Sequence, residues 1–218
     1  MSALIPRPAR EIAPCAVHVP DWLTLDEQRH LVVECRRWAT APVPMRAAQL
    51  PTGHRMSVQT VCLGWHWKPY SYSRTADDAG GGRVAPVPDW LVALGRRAVA
   101  AAFRAPADDY TPDAALINFY DETAKMGMHQ DKEERSDAAV VSLSIGDTCT
   151  FRFGNTFNRG KPYTDVELVS GDLFVFGGPS RFAYHGVPKV FPGTCSVDCG
   201  LKSGRLNITL RVTGLADA

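Results

Sequence analysis

Three groups of residues in this chain have types and spacings that could do chemistry. The shortest is His129-Gln130-Asp131, inside the run Lys125-Met126-Gly127-Met128-His129-Gln130-Asp131-Lys132-Glu133. In extended backbone, side chains at i and i+2 share a face, so an imidazole nitrogen and a carboxylate oxygen can aim at one point. That pair is two thirds of a metal site. A His-x-Asp triplet also arises by chance in exposed polar turns, so its meaning depends on what the rest of the chain supplies.

The second group is Arg205-Leu206-Asn207-Ile208-Thr209-Leu210-Arg211. Period two places Arg205, Asn207, Thr209 and Arg211 on one face and Leu206, Ile208 and Leu210 on the other. The apolar face must pack on a core. If the polar face looks into the same body, two guanidinium groups enter a partly dry space, which is expensive without a paired anion. A small dicarboxylate would satisfy both, because each planar fork can grip a carboxylate bidentately. The competing explanation is a solvated edge strand of alternating charge. Asn118 and Tyr120, which share a face on the run leading to His129, offer an amide and a phenol to the same acid. His185, in Arg181-Phe182-Ala183-Tyr184-His185-Gly186-Val187, is the sole histidine after Asp131 and so the available third ligand, although a lone histidine is commonly structural. Two histidines and one carboxylate leave about three positions open, the donor set of non-haem Fe(II) oxygenases rather than of closed zinc sites. Two open positions can chelate a 2-oxo acid and one can take O2, which makes 2-oxoglutarate a natural ligand for the arginine strand.

The third group lies in residues 41–83, a loop-rich stretch dense in aromatic and basic side chains: Arg46, His54, Arg55, Trp65, His66, Trp67, Lys68, Tyr70, Tyr72 and Arg74. Rings give bases a stacking platform while cations meet phosphates, so this stretch is a candidate nucleic-acid lid. The same rings would also suit strands packing on the core.

These groups need a scaffold. Thr24-Leu25-Asp26-Glu27 has the spacing of a capping box and opens a helix whose Leu25, Leu31, Val32, Cys35 and Trp38 recur at helical spacing. A second amphipathic helix runs from Pro88 to about Phe103. After Pro112 short alternating runs read as strands at 115–120, 139–145, 148–153, 166–169, 173–176 and 206–212, separated by turn signals such as Ser170-Gly171-Asp172. Two helices followed by six or more short strands predict a mostly β protein, a sandwich or barrel with helices supporting one side.

Composition bounds the rest. With 218 residues and 45% hydrophobic content the chain can bury one domain-sized core, expected over 21–218 after an extended lead-in at 1–20. Formal net charge is +1, from 24 basic and 23 acidic residues, so contact with a polyanion must come from a local patch. The six cysteines are scattered and no second close pair joins Cys195 and Cys199 to complete a zinc site, so reduced, mostly buried thiols are expected. No apolar run approaches membrane-spanning length, and Pro6, Arg7, Pro8 and Arg10 interrupt the place where a signal peptide needs apolar residues. These features predict a soluble, cytoplasmic monomer.

Taken together, His129-Gln130-Asp131-Lys132, His185 and Arg205-x-Asn207-x-Thr209-x-Arg211 resemble the AlkB family of Fe(II)/2-oxoglutarate-dependent nucleic-acid dealkylases. Leu116-Ile117-Asn118-x-Tyr120, Phe151-x-Phe153-Gly154, Gly171-Asp172 and Tyr184-His185-Gly186 fall in the order of its bacterial members, over roughly residues 53–212. The resemblance implies a double-stranded β-helix (jelly roll) core at about 113–213 with a nucleotide-recognition lid at about 41–83. It implies that His129, Asp131 and His185 hold Fe(II), that Arg205 and Arg211 pair with the carboxylates of 2-oxoglutarate, and that Asn118, Tyr120 and Asn207 hydrogen-bond to it. It further implies that Trp65 stacks on a flipped base opposite His129, that Glu133 contacts the exocyclic amine of adenine or cytosine where relatives usually carry aspartate, and that Tyr70 and Tyr72 belong to the lid. Lys125, Lys132 and Arg159 are candidates for phosphate contacts. The implied activity is O2-dependent removal of N-methyl groups, as on 1-methyladenine and 3-methylcytosine, from DNA and as a second class from RNA. Two alternatives are a related oxygenase acting on methylated tRNA or protein and, from another class, a non-catalytic β-sandwich that binds nucleic acid through the lid.

Overall fold

A computed structural model describes residues 7–216. In chain order its elements are β1 (Arg10–Ala13), β2 (Ala16–Val19), α1 (Leu25–Trp38), β3 (Arg46–Gln49), β4 (Arg55–Leu63), β5 (His66–Lys68), β6 (Ser71–Ser73), α2 (Asp89–Phe103), β7 (Ala114–Tyr120), β8 (Met126–His129), β9 (Val140–Gly146), β10 (Cys149–Phe153), β11 (Thr164–Leu168), β12 (Leu173–Phe176), β13 (His185–Val190) and β14 (Arg205–Arg211). Eight strands form a major sheet in the order β1-β2-β12-β9-β14-β7-β4-β3, and four form a minor sheet in the order β11-β10-β13-β8. The two sheets face each other as a jelly roll, with both helices against the outer face of the major sheet.

Both helices start where local chemistry directs them. Thr24 accepts a hydrogen bond from the backbone N–H of Glu27 while the Glu27 carboxylate accepts from that of Thr24, so two free donors of the first turn are satisfied. Leu31, Val32, Cys35 and Trp38 of α1 then join Leu91, Leu94 and Ala98 of α2 in one apolar layer over Leu143, Ile208 and Leu210. A second cluster fills the space between the sheets at one end, through Phe151, Phe153, Phe174 and Phe176. The other end of that space is polar and open, and it holds the site described below.

Two expectations change. The stretch at 41–83 is not mainly loop: β3 and β4 extend the major sheet, with β4 paired to β7, and β5 and β6 form a separate two-stranded sheet. Its prolines and glycines sit in the connections, whereas its strands alternate too weakly to show as a period. Residues 10–19 do more than lead in, since β2 pairs with β12 and completes the major sheet. His18, buried there, holds the Asp172 carboxylate at 2.8 Å, and Arg7 approaches the same carboxylate at 2.6 Å. Residues 1–6 of that segment lie outside the described residues. All six cysteines are free, and Cys15 is exposed.

Candidate active site

Strand pairing builds the metal-ligating triad. β8 and β13 run antiparallel with His129 opposite His185, and the two ring centroids are 4.5 Å apart. Gly186 permits this approach, because a Cβ there would lie 2.7 Å from the Met126 carbonyl oxygen of β8. Asp131 follows β8 by two residues and turns inward, 2% exposed. Its Oδ1 is 3.6 Å from His129 Nε2 and its Oδ2 is 3.6 Å from His185 Nε2. Ligand atoms of all three residues lie within 4.8 Å of one another.

The hydrogen bonds around the triad prepare it for a cation. His129 Nδ1 is 3.0 Å from the Gly127 carbonyl and His185 Nδ1 is 3.0 Å from the Ala183 carbonyl. A carbonyl only accepts, so each Nδ1 donates and the neutral ring keeps its Nε2 lone pair toward Asp131. Asp131 Oδ2 is buried without a hydrogen-bond partner. Burial drives the Asp131 carboxyl pKa upward, but the Arg211 guanidinium and then His185 and His129 pull it down further, so it is ionised. Burial, and then the neighbouring His129, lowers His185 to about 4, so that ring is neutral at pH 7, as a metal ligand must be. Two imidazoles that turn Nε2 inward and one carboxylate with an orphaned oxygen fit Fe(II) with coordination positions to spare.

Facing the triad is the polar side of β14. Its register against β7 sets Arg205 opposite Tyr120 and Asn207 opposite Asn118, so the four residues expected to hold an anion share one floor. Arg205 is 1% exposed and gives Nη2 to Ser144 Oγ at 2.9 Å, while its Nε and Nη1 are buried and find no partner among the described residues. Arg211 gives Nη2 to Asp131 Oδ1 at 2.9 Å and Nη1 to Glu134 Oε1 at 2.8 Å, leaving Nε unpartnered. Thr60 donates to Asn118 Oδ1 at 2.8 Å, and Asn207 Nδ2 donates to Ser142 Oγ at 2.7 Å. These bonds orient both amides on the floor. Three buried guanidinium N–H groups therefore lack an acceptor beside a cation-ready triad, a combination that calls for an anion reaching from one to the other.

The triad, Asn118, Tyr120, Arg205, Asn207 and Arg211 line one cavity of about 510 Å³. Tyr70, Glu133, Lys125, Lys132 and Arg159 line it too, as expected from the sequence, and burial raises the Glu133 carboxyl. Two expected contacts are absent from the lining. Trp65 is 5% exposed, donates Nε1 to Asp113 Oδ2 at 3.0 Å, and has the Arg74 guanidinium 3.7 Å over its ring. In the turn before it, Gly64 has φ +73° and a Cβ there would lie 1.9 Å from the Asp113 carbonyl oxygen, so only glycine lets the chain pass this close to Asp113. Trp67, two residues on, lines the cavity in its place. Tyr72 points inward beneath the cavity, where its hydroxyl lies 2.5 Å from Glu134 Oε1 and 3.0 Å from Arg211 Nη1.

Sequence reasoning passed over Glu134 and Arg181. Both are buried; Arg181 donates to the Asp131 and Ala138 carbonyls and pairs with Glu134 at 3.3 Å, so together they brace Arg211 and the Asp131 backbone from behind. Glu133-Glu134 is an acidic pair in sequence, and without knowing the backbone turn nothing says which one faces in.

With that geometry established, the chain compares with known proteins as follows. A family model described as the 2OG-Fe(II) oxygenase superfamily matches residues 15–211. The chain is 37% identical over 179 residues to the alpha-ketoglutarate-dependent dioxygenase AlkB of Escherichia coli, covering 78% of each. It is 30% identical over 221 residues to the DNA N(6)-methyladenine demethylase ALKBH1D of Arabidopsis thaliana, covering 92% of this chain and 50% of that protein. The solved structure of OsALKBH1 superposes with a TM-score of 0.82 at 31% identity, covering 94% of this chain and 99% of that one. The chain thus spans about half the length of the Arabidopsis relatives it matches over 92% of its own length.

Proposed function

The chain belongs to the 2OG-Fe(II) oxygenase superfamily, among the AlkB-like proteins, and on that premise we propose that it oxidatively removes N-methyl groups from nucleobases. The observation that carries the reading is the convergence of His129, Asp131 and His185 within 4.8 Å beneath a cavity whose floor holds unpartnered arginine donors. Iron(II) bound by the triad, with 2-oxoglutarate and O2, supplies the oxidising power that converts N–CH3 to N–CH2OH, yielding succinate and CO2.

The protein's own groups do the rest. Arg205 and Arg211 hold the carboxylates of 2-oxoglutarate, with Asn118 and Tyr120 donating to its oxygens and Asn207, whose Nδ2 is held by Ser142 Oγ and the Leu143 carbonyl, shaping the floor beside it. Trp67 stacks on the target base, Tyr70 closes the rim, and Glu133 meets the base's exocyclic amine. Lys125, Lys132 and Arg159 take the phosphates of the flipped nucleotide. The hydroxymethyl product then collapses, its O–H proton leaving as the C–N bond breaks, and releases formaldehyde with the restored base.

The leading substrates are 1-methyladenine and 3-methylcytosine, whose methyl groups block pairing and make the nucleotide cheap to unstack. Single-stranded or duplex DNA is the expected partner, with RNA as the second class. N6-methyladenine is the other reading, favoured by the names of relatives such as ALKBH1D and the N6-methyladenosine RNA demethylase ALKB1 of Pyricularia oryzae. The proposal extends to a cytoplasmic monomer working as one dioxygenase domain over 21–218; no helix among the described residues is long and apolar enough to cross a membrane.

The test loads the protein with Fe(II) and 2-oxoglutarate without air, admits O2, and follows each methylated base in single-stranded DNA, duplex DNA and RNA by mass spectrometry. Demethylation with matching succinate and formaldehyde is the expected result. Trp67→Ala should weaken binding of the methylated oligonucleotide by roughly 1–3 kcal/mol, the worth of one stacked base, while Trp65→Ala should act on stability. Succinate formation uncoupled from every methylated nucleic acid would move the substrate elsewhere.

A further inference from the structure

A second groove, of about 980 Å³, lies on the outer side of the lid between the tips of the β3–β4 and β5–β6 hairpins. Leu50 and Pro69 line both this groove and the catalytic cavity, so the two adjoin along one rim. The basic residues of 41–83 divide between interior and groove. Arg46 is committed inward, donating to Asp78 Oδ2 at 2.9 Å and to the Trp67 carbonyl at 2.8 Å. His66 is fully buried, its Nε2 within 2.6 Å of Asp78 Oδ1. Arg55 and Lys68 border the groove, one on each hairpin, and neither has an ion pair among the described residues.

The lining has the character of a strand-binding surface. Two uncommitted cations stand on opposite hairpins, and the one acidic side chain present, Asp78, is neutralised by Arg46. Exposed Gln59 offers hydrogen bonds, and Met45 and Leu50 offer apolar surface for sugars and bases. Phosphates spaced along a flexible chain with flat rings between them match that mixture. Tyr70, 70% exposed at the neighbouring rim of the catalytic cavity, is placed to stack on a base passing between the two.

We infer that this groove holds the nucleotides next to the one in the catalytic cavity, as a single strand, with Arg55 and Lys68 on their phosphates. The inference rests on the reading that the substrate is a nucleic acid and adds where the flanking strand runs. It also predicts that strand length past the target nucleotide contributes affinity.

The experiment compares a methylated mononucleotide, which reaches only the catalytic cavity, with a methylated oligonucleotide of about fifteen residues, in the intact protein and in Arg55→Glu/Lys68→Glu. Binding is read by fluorescence anisotropy across a salt series, and demethylation by mass spectrometry. The variant should bind the long strand roughly tenfold more weakly or worse, and the slope of log K against log salt should be shallower by about 1.4, two phosphate contacts' worth for a single strand. Mononucleotide demethylation should be unchanged, and Arg55→Gln/Lys68→Gln should show the same pattern with a smaller loss. Unchanged long-strand affinity and slope overturn the inference. So does an equal loss on both lengths, which would mean that the groove is not separable from the cavity. If the intact protein binds the long strand through these residues yet demethylates neither length, the groove stands and the catalytic reading fails.

Discussion

The two sides of β14 are chemical opposites, although every residue of the strand but the half-buried Asn207 is buried. Leu206, Ile208 and Leu210 are 4%, 0% and 0% exposed under the helices, while Arg205 and Arg211 are 1% and 5% exposed over the cavity. On the helix side the strand's contacts come from protein, with α1 and α2 supplying apolar atoms over Leu206, Ile208 and Leu210. On the cavity side the protein stops short, leaving three guanidinium N–H groups and one carboxylate oxygen without partners. Burial therefore does not distinguish a core from a site. What distinguishes them is whether the protein satisfies its own groups or leaves them for a ligand, and a single strand can separate stability from function by face.

The sharpest way to break that contrast is Arg211→Met, which keeps the volume and removes the charge. It leaves Asp131 and Glu134 buried without their shared partner, a loss of about 3–5 kcal/mol in stability, and it should raise the 2-oxoglutarate KM by at least about a hundredfold. Urea unfolding and succinate formation against cosubstrate concentration measure the two effects, and an unchanged KM would show that the cavity face is not an anion site. On the opposite face Ile208→Ala should cost about 2–5 kcal/mol, the transfer and cavity terms of a deleted core side chain, with the 2-oxoglutarate KM unmoved. A raised KM in that variant would mean that the two faces are coupled through the strand.

The smallest effect expected is pH-dependent. His185 is held neutral down to about 4 in the folded protein, below its ordinary 6.5, so between those values the unfolded chain takes up a proton that the folded one refuses. The metal-free protein should therefore lose stability as pH falls from about 6.5 toward 4, and this group contributes no slope above that window. Between pH 7 and pH 5 the loss should be roughly 1–2 kcal/mol. His185→Gln, which cannot titrate, should show a correspondingly flatter profile in denaturant midpoints.

Much of this site was legible before any fold was known. His129, Asp131, Arg205 and Arg211 could be placed in pairs because a strand's period of two needs only local backbone, and the α1 capping box could be read because it closes within three residues. The lid was read less well. Trp65 and Trp67 have the same type and share the i, i+2 relation, so no local rule says which faces the cavity; the hydrogen bond from Trp65 to Asp113, far along the chain, and the Arg74 guanidinium over its ring are what hold Trp65 away from it. Tyr72 likewise looks like a surface ring until Glu134 and Arg211 appear beneath it.

By itself the sequence determined the ligand types, their sharing of faces along each strand, and the helices that cover one side, all of which follow from dihedral periodicity and capping over a few residues. Tertiary structure alone decided that His185 meets His129, that Glu134 rather than Glu133 braces Arg211, and that Trp67 rather than Trp65 reaches the cavity. Those outcomes depend on strand register and on contacts between segments far apart in the chain, and neither is written in the spacing of neighbouring residues.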